Sequence, residues 1–410
     1  MEQTIETLNK DHHSWLTLRC RALVHYFFSK IDNGVLEIIE GNDHFSFGKH
    51  SESAEPVTAS IIIKDLSVYK TFIRGGSIGA AEAYIDNRWQ TDNLTNVIRI
   101  FIRAQEITDG IEKHFSWIST IKHKVFHRKR QNSLIGSKAN ILAHYDLGNE
   151  LFSQFLDKEM VYSSAVFKHH QQSLDEAQLN KFKRICDQLN LQADDHLLEI
   201  GTGWGGLAIY AATNYGCKVT TTTISDAQHA YAEERIHKLG LDNKITLLKK
   251  DYRLLTGQFD KLVSVEMIEA VGYEHLNTFF KKCNSLLKPQ GKILLQAITI
   301  ADQRLKHYLT NVDFIQRYIF PGGFLPSVTL LTERLTKNTS MVTESVSDIG
   351  LDYAKTLNHW HRRFKDNWQH ISQHGYDKRF KDLWEFYLCY CEGAFLERAT
   401  STVHFVARKH

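Results

Sequence analysis

Four glycines, Gly201, Gly203, Gly205 and Gly206, follow directly on the run LLEI at 197–200. A glycine turn after an apolar-acidic run lets backbone approach a ligand closely at a helix N-terminus. Further along, SVEMIEAVG at 264–272 carries two carboxylates, Glu266 and Glu269. Three residues apart, they would share one face of a helical turn. An acid at the mouth of an apolar pocket suits proton handling. For Glu266 the plain alternative is a helix N-terminal acid.

A glycine turn alone is a weak signal, and the residues around it favour one ligand over a structural tight turn, a phosphate or a dinucleotide, without excluding the last. A phosphate-cradling loop needs G-x-x-x-x-G-K-[ST], but Leu207 and Ala208 follow Gly206. A dinucleotide fold needs a ribose-gripping acid roughly 20 residues on. Here the next strand-like run ends in Thr221, Thr222 and Thr223, with Asp226 already in the following helix. Glu199 before the glycines and Asp251 and Tyr252 after the third strand-like run suit S-adenosylmethionine (SAM). That ligand has adenine, ribose and a zwitterionic amino acid, but no pyrophosphate. Its sulfonium prefers aromatic faces to bare cations.

The elements that must position these groups alternate in type. Strands are predicted at 196–200, 218–223, 244–250, 261–266 and 292–298. Helices are predicted at 205–215, 226–239 and near 275–287. This rhythm indicates an α/β fold with a mostly parallel sheet and helices on both faces. Two helix-length segments between 351 and 398 precede a final strand at 403–408. In the second of them, Phe380, Trp384, Phe386, Tyr387 and Phe395 have the helical spacing of ordinary core. Upstream, strands are predicted at 35–40 and 59–66 and a helix at 96–105.

At 410 residues the chain suggests two domains. The division predicted is an N-terminal lipid-associated domain at 1–112, a basic linker at 113–140 and a catalytic domain at 141–410. Between 113 and 145 there are seven Lys or Arg and no acid. That run is either a solvated linker or an attachment to an anionic membrane surface. It has no aromatic stacking platform, and the net charge is only +3, so no nucleic-acid partner is expected. Six scattered cysteines without a CxxC pair read as reduced thiols of a cytosolic protein. The 22 histidines form no HExxH-type spacing, and no metal is expected. The polar N-terminus is no secretory signal, and no apolar run approaches the ~20 residues of a membrane span.

From about Gly75 onward the chain resembles the cyclopropane-fatty-acyl-phospholipid synthases, a family that includes the mycolic acid cyclopropane synthases. The motifs are GSIGAAEAYIDNRW, HYDLGNELFSQFLD, MVYSSAVF, LLEIGTGWGGLA, TISDAQ, DYR, EMIEAVG, DFIQRYIFPGGFLPS and IGLDYAKTL. The resemblance implies a class I SAM-dependent methyltransferase fold with a seven-stranded sheet and a smaller N-terminal α+β domain. That domain would sit on membrane lipid and support homodimers, making the enzyme cytoplasmic and peripheral to the membrane. The implied reaction adds a methylene across cis double bonds of phospholipid acyl chains. Its alternative product is a methyl- or methylene-branched chain without ring closure.

The resemblance also implies SAM contacts at Tyr162, Ser163, Gly201, Gly203, Gly205, Thr223, Gln228, Asp251 and Tyr252, with Tyr145 as a further candidate. In the family a bound bicarbonate is thought to act as base, held by a Cys, a Glu, a His, an Ile amide and a Tyr. The corresponding catalytic positions here are Ser164, Glu269, Gln296, Ile298 and Tyr353. Ser164 and Gln296 depart from the family's Cys and His, which bears on the deprotonation step. Phe324 replaces a Cys of the family's GGCLPS loop, on the expected acyl path.

Overall fold

The computed structural model describes residues 14–52, 55–104 and 147–410. Tyr145 and the basic run at 113–145 lie outside them, so the linker prediction does too. The described chain forms two compact units.

The first unit holds a four-stranded sheet: β1 (Gly34–Glu40), β2 (Asp43–Lys49), β3 (Thr58–Ile63) and β4 (Trp89–Gln90), in the order β2-β1-β3-β4. β1 runs antiparallel to β2 and parallel to β3. Its helices include Trp15–Phe28, Val68–Ile85 and Leu94–Arg103. Residues 311–314 and 375–399 also belong to this unit, including the helix Lys378–Leu396. The compact units therefore do not follow one cut in sequence between 112 and 141. The cause is a close helix pair: a Cβ at Gly393 would stand 2.8 Å from Ile98 Cγ2. Thr95 donates to Glu392 at 2.9 Å, and Arg99 and Arg103 both pair with Glu397. Of the five aromatic residues with core spacing, Trp384, Phe386, Tyr387 and Phe395 are buried in this unit, while Phe380 is only half-buried.

The second unit holds the predicted mostly parallel seven-stranded sheet. Its strands are β5 (His196–Ile200), β6 (Lys218–Thr223), β7 (Ile245–Lys249), β8 (Phe259–Val265), β9 (Leu287–Ile300), β10 (Met341–Asp348) and β11 (Thr400–Lys409). The order is β10-β11-β9-β8-β5-β6-β7. β5 to β9 are parallel, and β11 lies antiparallel between β9 and β10. Side chains alternate between two cores, as strand geometry requires. Leu198, Leu262, Ile293 and Phe405 pack on one face against helix Leu276–Leu286. Leu197, Val263, Leu294 and Val406 pack on the other against helices Leu174–Leu189 and Gly206–Tyr215. The first of those helices starts on a capping box, Ser173 with Glu176, and ends on left-handed Asn190. The parallel arrangement leaves the ends of β5, β6, β7 and β8, and the loops that follow them, along one edge.

Candidate active site

The glycine turn leaves β5 with positive φ at Gly201 (104°), Gly203 (53°) and Gly205 (91°), a backbone that side chains resist. A Cβ at Gly203 would meet nothing within 4 Å, so open space lies over the turn. Thr202 is buried, and its hydroxyl lies 2.7 Å from that of Thr221. Thr221 donates to Glu199 at 2.5 Å. Burial pushes the Glu199 carboxyl up to about 8. At the end of β6, the Thr223 hydroxyl donates to Gln228 Oε1 at 3.0 Å. Beyond β7, burial would raise the Asp251 carboxyl, but hydrogen bonds and charge from Arg253 hold it below the usual range. Tyr252 packs edge-on against Phe279.

The glycine turn adjoins the segment that carries the two carboxylates: a Cβ at Gly201 would touch the Met267 side chain at 3.6 Å. Glu269 lies in a short 3₁₀ turn, Ile268–Ala270. Glu266 precedes that turn with a left-handed backbone, φ 48°. The shared helical face read from their spacing is therefore absent, and the two side chains meet different partners. Three donors converge on Glu266. The Ser164 amide donates to Oε1 at 2.9 Å, Gln296 Nε2 to Oε1 at 2.8 Å, and the Tyr353 hydroxyl to Oε2 at 2.8 Å. Glu269 receives one, the Ile298 amide to Oε1 at 2.6 Å. Its Oε2 is buried with no hydrogen-bond partner.

All five residues expected at the catalytic position are thus brought together, but around the chain's own carboxylates. Ser164 contributes its backbone amide, while its hydroxyl donates to the Ala165 carbonyl at 3.0 Å. Gln296 is fixed from behind. Its Nε2 donates to Glu266 and, at 3.2 Å, to the Ser164 carbonyl, so its Oε1 must accept from His404 Nε2 at 3.0 Å. Burial pushes the His404 imidazole down to about 3. The neutral ring has one N–H, and Nδ1 must accept. Gln188 Oε1 stands 2.7 Å from Nδ1, and a neutral ring that donates from Nε2 would need that amide turned over, its NH2 toward Nδ1.

Electrostatics divide the pair. Burial raises both carboxyls. For Glu266 the three donors and the nearby Lys181 charge oppose the rise. For Glu269 the Glu266 charge adds to burial and pushes it up to about 8. Of the pair, Glu266 has the three donors and the nearby cation and is the one that ionises first, while Glu269 keeps its proton at neutral pH. Lys181 is fully buried and donates to the Ser163 hydroxyl at 2.7 Å. Burial pushes its ammonium down to about 8, so it is still mostly a cation at neutral pH.

Aromatic rings line the approach to Tyr353. Its ring contacts Trp360 at 6.0 Å, and Trp360 contacts Tyr162 at 5.1 Å. Phe320 joins Tyr162 just after a π-helical turn, Ile315–Ile319. Such turns recur at functional sites. Phe324 is buried, donates its amide to the Glu269 carbonyl at 2.9 Å and packs on Tyr273.

Sequence reasoning assigned no role to Lys181, and for Glu266 it left a helix-terminal acid as the alternative. A signal for Lys181 was present. Leu174, Ala177, Gln178, Lys181, Phe182 and Ile185 form one buried helical stripe, and a lysine in such a stripe must have a partner.

The chain is similar to known proteins of one family. The family model "Mycolic acid cyclopropane synthetase" matches residues 132–405. The cyclopropane-fatty-acyl-phospholipid synthase of Escherichia coli K12 is 38% identical over 344 residues, covering 83% of this chain and 85% of that protein. The tuberculostearic acid methyltransferase UfaA1 of Mycobacterium tuberculosis is 33% identical over 359 residues, covering 86% and 83%. Among solved structures, the mycolic acid cyclopropane synthase CmaA1 complexed with SAH and CTAB superposes with a TM-score of 0.60 at 28% identity. It covers 66% of this chain and 98% of that one.

Proposed function

This chain belongs to the mycolic acid cyclopropane synthetase family, and from that premise we propose that it adds a methylene across the cis double bond of an unsaturated phospholipid acyl chain, with SAM as methyl donor. When bound, SAM supplies an electrophilic methyl on a sulfonium that departs as a neutral thioether. The open space over Gly203 and the positive-φ backbone of Gly201 and Gly205 fit such a donor. Tyr162, Ser163, Thr223, Gln228, Asp251 and Tyr252 would complete its site.

The observation that carries this reading is a half-buried carboxylate pair beside the glycine turn, backed by aromatic rings. An alkene is a feeble nucleophile, so the site must align it and exclude water from the carbocation that forms. The faces of Tyr162, Trp360 and Tyr353 suit cationic charge and an apolar chain. The E. coli relative's name supports phospholipid as the acyl carrier. No helix among the described residues is long and apolar enough to cross a membrane. We place the enzyme at the bilayer surface, taking single acyl chains from it.

The test is incubation with SAM and vesicles of cis-unsaturated phosphatidylglycerol or phosphatidylethanolamine. The expected result is S-adenosylhomocysteine release and a lipid one methylene heavier that resists ozonolysis. The name of the tuberculostearic acid methyltransferase supports a second reading, transfer without ring closure. A hydrogenatable alkene or a saturated branch in the product would establish that one instead.

A further inference from the structure

The donors expected around a bicarbonate are already taken. The Ser164 amide, Gln296 Nε2 and Tyr353 hydroxyl all end on Glu266, and the Ile298 amide ends on Glu269. A bicarbonate on the same donors would have to displace the Glu266 carboxylate, so the residues present do not fit that ion. We propose that Glu266 is itself the catalytic base of ring closure and that this enzyme works without bicarbonate. The inference rests on the acyl-chain reading given above.

Four observations favour a reactive role for Glu266 over a structural one. A structural buried carboxylate normally has a cation on it, since burying an unpaired charge is costly. Here the three hydrogen bonds come from neutral groups, and the buried Lys181 ammonium reaches Glu266 only through its charge, its own bond going to Ser163. Second, the backbone at Glu266 is left-handed, a cost of about 1–2 kcal/mol for a side-chain-bearing residue, and such strain gathers at functional sites. Third, a second carboxyl, Glu269, sits close enough to feel its charge, an arrangement that stability alone disfavours. Fourth, Oε1 accepts two bonds and Oε2 one. The remaining acceptor position is on Oε2, on the side of Tyr353, whose ring leads to Trp360 and Tyr162.

The step balances without an added reagent. Once the methyl is on the lipid, the neighbouring former alkene carbon bears the positive charge. Glu266 takes one proton from the new methyl. The freed C–H electron pair forms the second C–C bond and closes the ring. The neutral acid then loses its proton to water when the site reopens. His404 and Gln188 act as positioning residues, holding the Gln296 amide with both N–H groups forward.

The test is turnover of SAM and cis-unsaturated phosphatidylethanolamine vesicles in buffer purged of carbon dioxide, with and without added bicarbonate. The wild-type rate is expected to change less than about twofold. Glu266→Gln, nearly isosteric, should lower turnover by about 10²–10⁴-fold, with S-adenosylhomocysteine affinity by titration calorimetry unchanged. Glu266→Ala exposes the three donors, and added bicarbonate or formate should restore part of its rate. A wild-type enzyme that forms rings only with bicarbonate overturns the inference and leaves the proposed function standing. Full turnover by Glu266→Gln overturns it as well. A wild-type enzyme inert on every unsaturated lipid removes the acyl-chain reading itself.

Discussion

Two glutamates, one in each unit, show how surroundings divide one residue type into two roles. Glu40 ends β1 in the first unit and Glu266 follows β8 in the second. Glu40 is buried and Glu266 half-buried, and both accept a bond from a tyrosine hydroxyl, Tyr69 in one case and Tyr353 in the other. Glu40 also pairs with Arg21 at 2.6 Å and lies 3.3 Å from His25. Burial would raise its carboxyl, but the bonds from His25, Tyr69 and Arg21 and the Arg21 charge outweigh it and hold Glu40 below the usual carboxylate range. Glu266 has amides where Glu40 has a guanidinium, and its carboxyl is raised. A direct cation makes a carboxylate inert to protons at working pH. Neutral donors, with a cation only at a distance, leave its carboxyl raised and more basic.

The comparison breaks most visibly at Glu40. Glu40→Gln should leave S-adenosylhomocysteine affinity intact while lowering urea-unfolding stability by about 3 kcal/mol, the low end for a broken buried pair because Arg21 is partly exposed. Glu266→Gln should instead lower turnover, with urea-unfolding stability close to wild type and S-adenosylhomocysteine affinity again intact. A Glu40 variant as stable as wild type would mean that pairing does not separate the two sites.

Tyr353→Phe sharpens the contrast next. Losing one donor to a charged group, worth about 1.5 kcal/mol, should slow turnover about tenfold. It also disfavours the ionised form of Glu266, so the acid limb of the pH–rate profile should move to higher pH. An unshifted limb would detach Tyr353 from the titrating group.

Glu269→Gln should cost less than about tenfold in turnover, because Glu269 already holds its proton and the amide reproduces it. Its effect is clearer in stability. The native carboxyl is pushed from 4.5 up to about 8, so between those values the folded chain binds a proton that the unfolded chain releases. Its contribution is complete below about 4.5 and is lost as pH rises through about 8. The variant's melting temperature should therefore fall less from pH 5 to 8 than that of the wild type. The residual slope belongs partly to Glu199, shifted in the same direction.

Ser164→Ala is the smallest change expected, under about threefold in turnover, since the backbone amide reaches Glu266 and the hydroxyl does not. A large loss would give the hydroxyl a role its present bond does not show.

The sheet was readable where its signals were local. HLLEI and KVTTTT coincide with β5 and β6, bounded by the glycine turns at Gly201 and Gly216. β10 was not readable, because an edge strand reading MVTESVSD is mostly exposed and lacks an alternating apolar pattern. The helix Trp15–Phe28 escaped for a related reason: Trp15, Leu18 and Tyr26 are exposed, so apolar residues fall on both faces. At the site, the identities of Ser164, Gln296, Ile298 and Tyr353 were legible by motif. What they hold was not. Spacing put Glu266 on a helical face, and only its left-handed backbone sends it back to Ser164 and Gln296 while Glu269 reaches Ile298.

The membership of residues 375–399 in the first unit has a consequence for biosynthesis. The N-terminal sheet leaves the ribosome long before the helix that packs on Leu94–Arg103. At roughly 5–20 residues per second the wait is on the order of tens of seconds. Through that interval Ile98, buried in the finished protein, has no C-terminal helix against it. Chaperone holdases have their natural client in that half-made form, and a truncation after β10 would leave the first unit unfinished as well as removing β11 from the second.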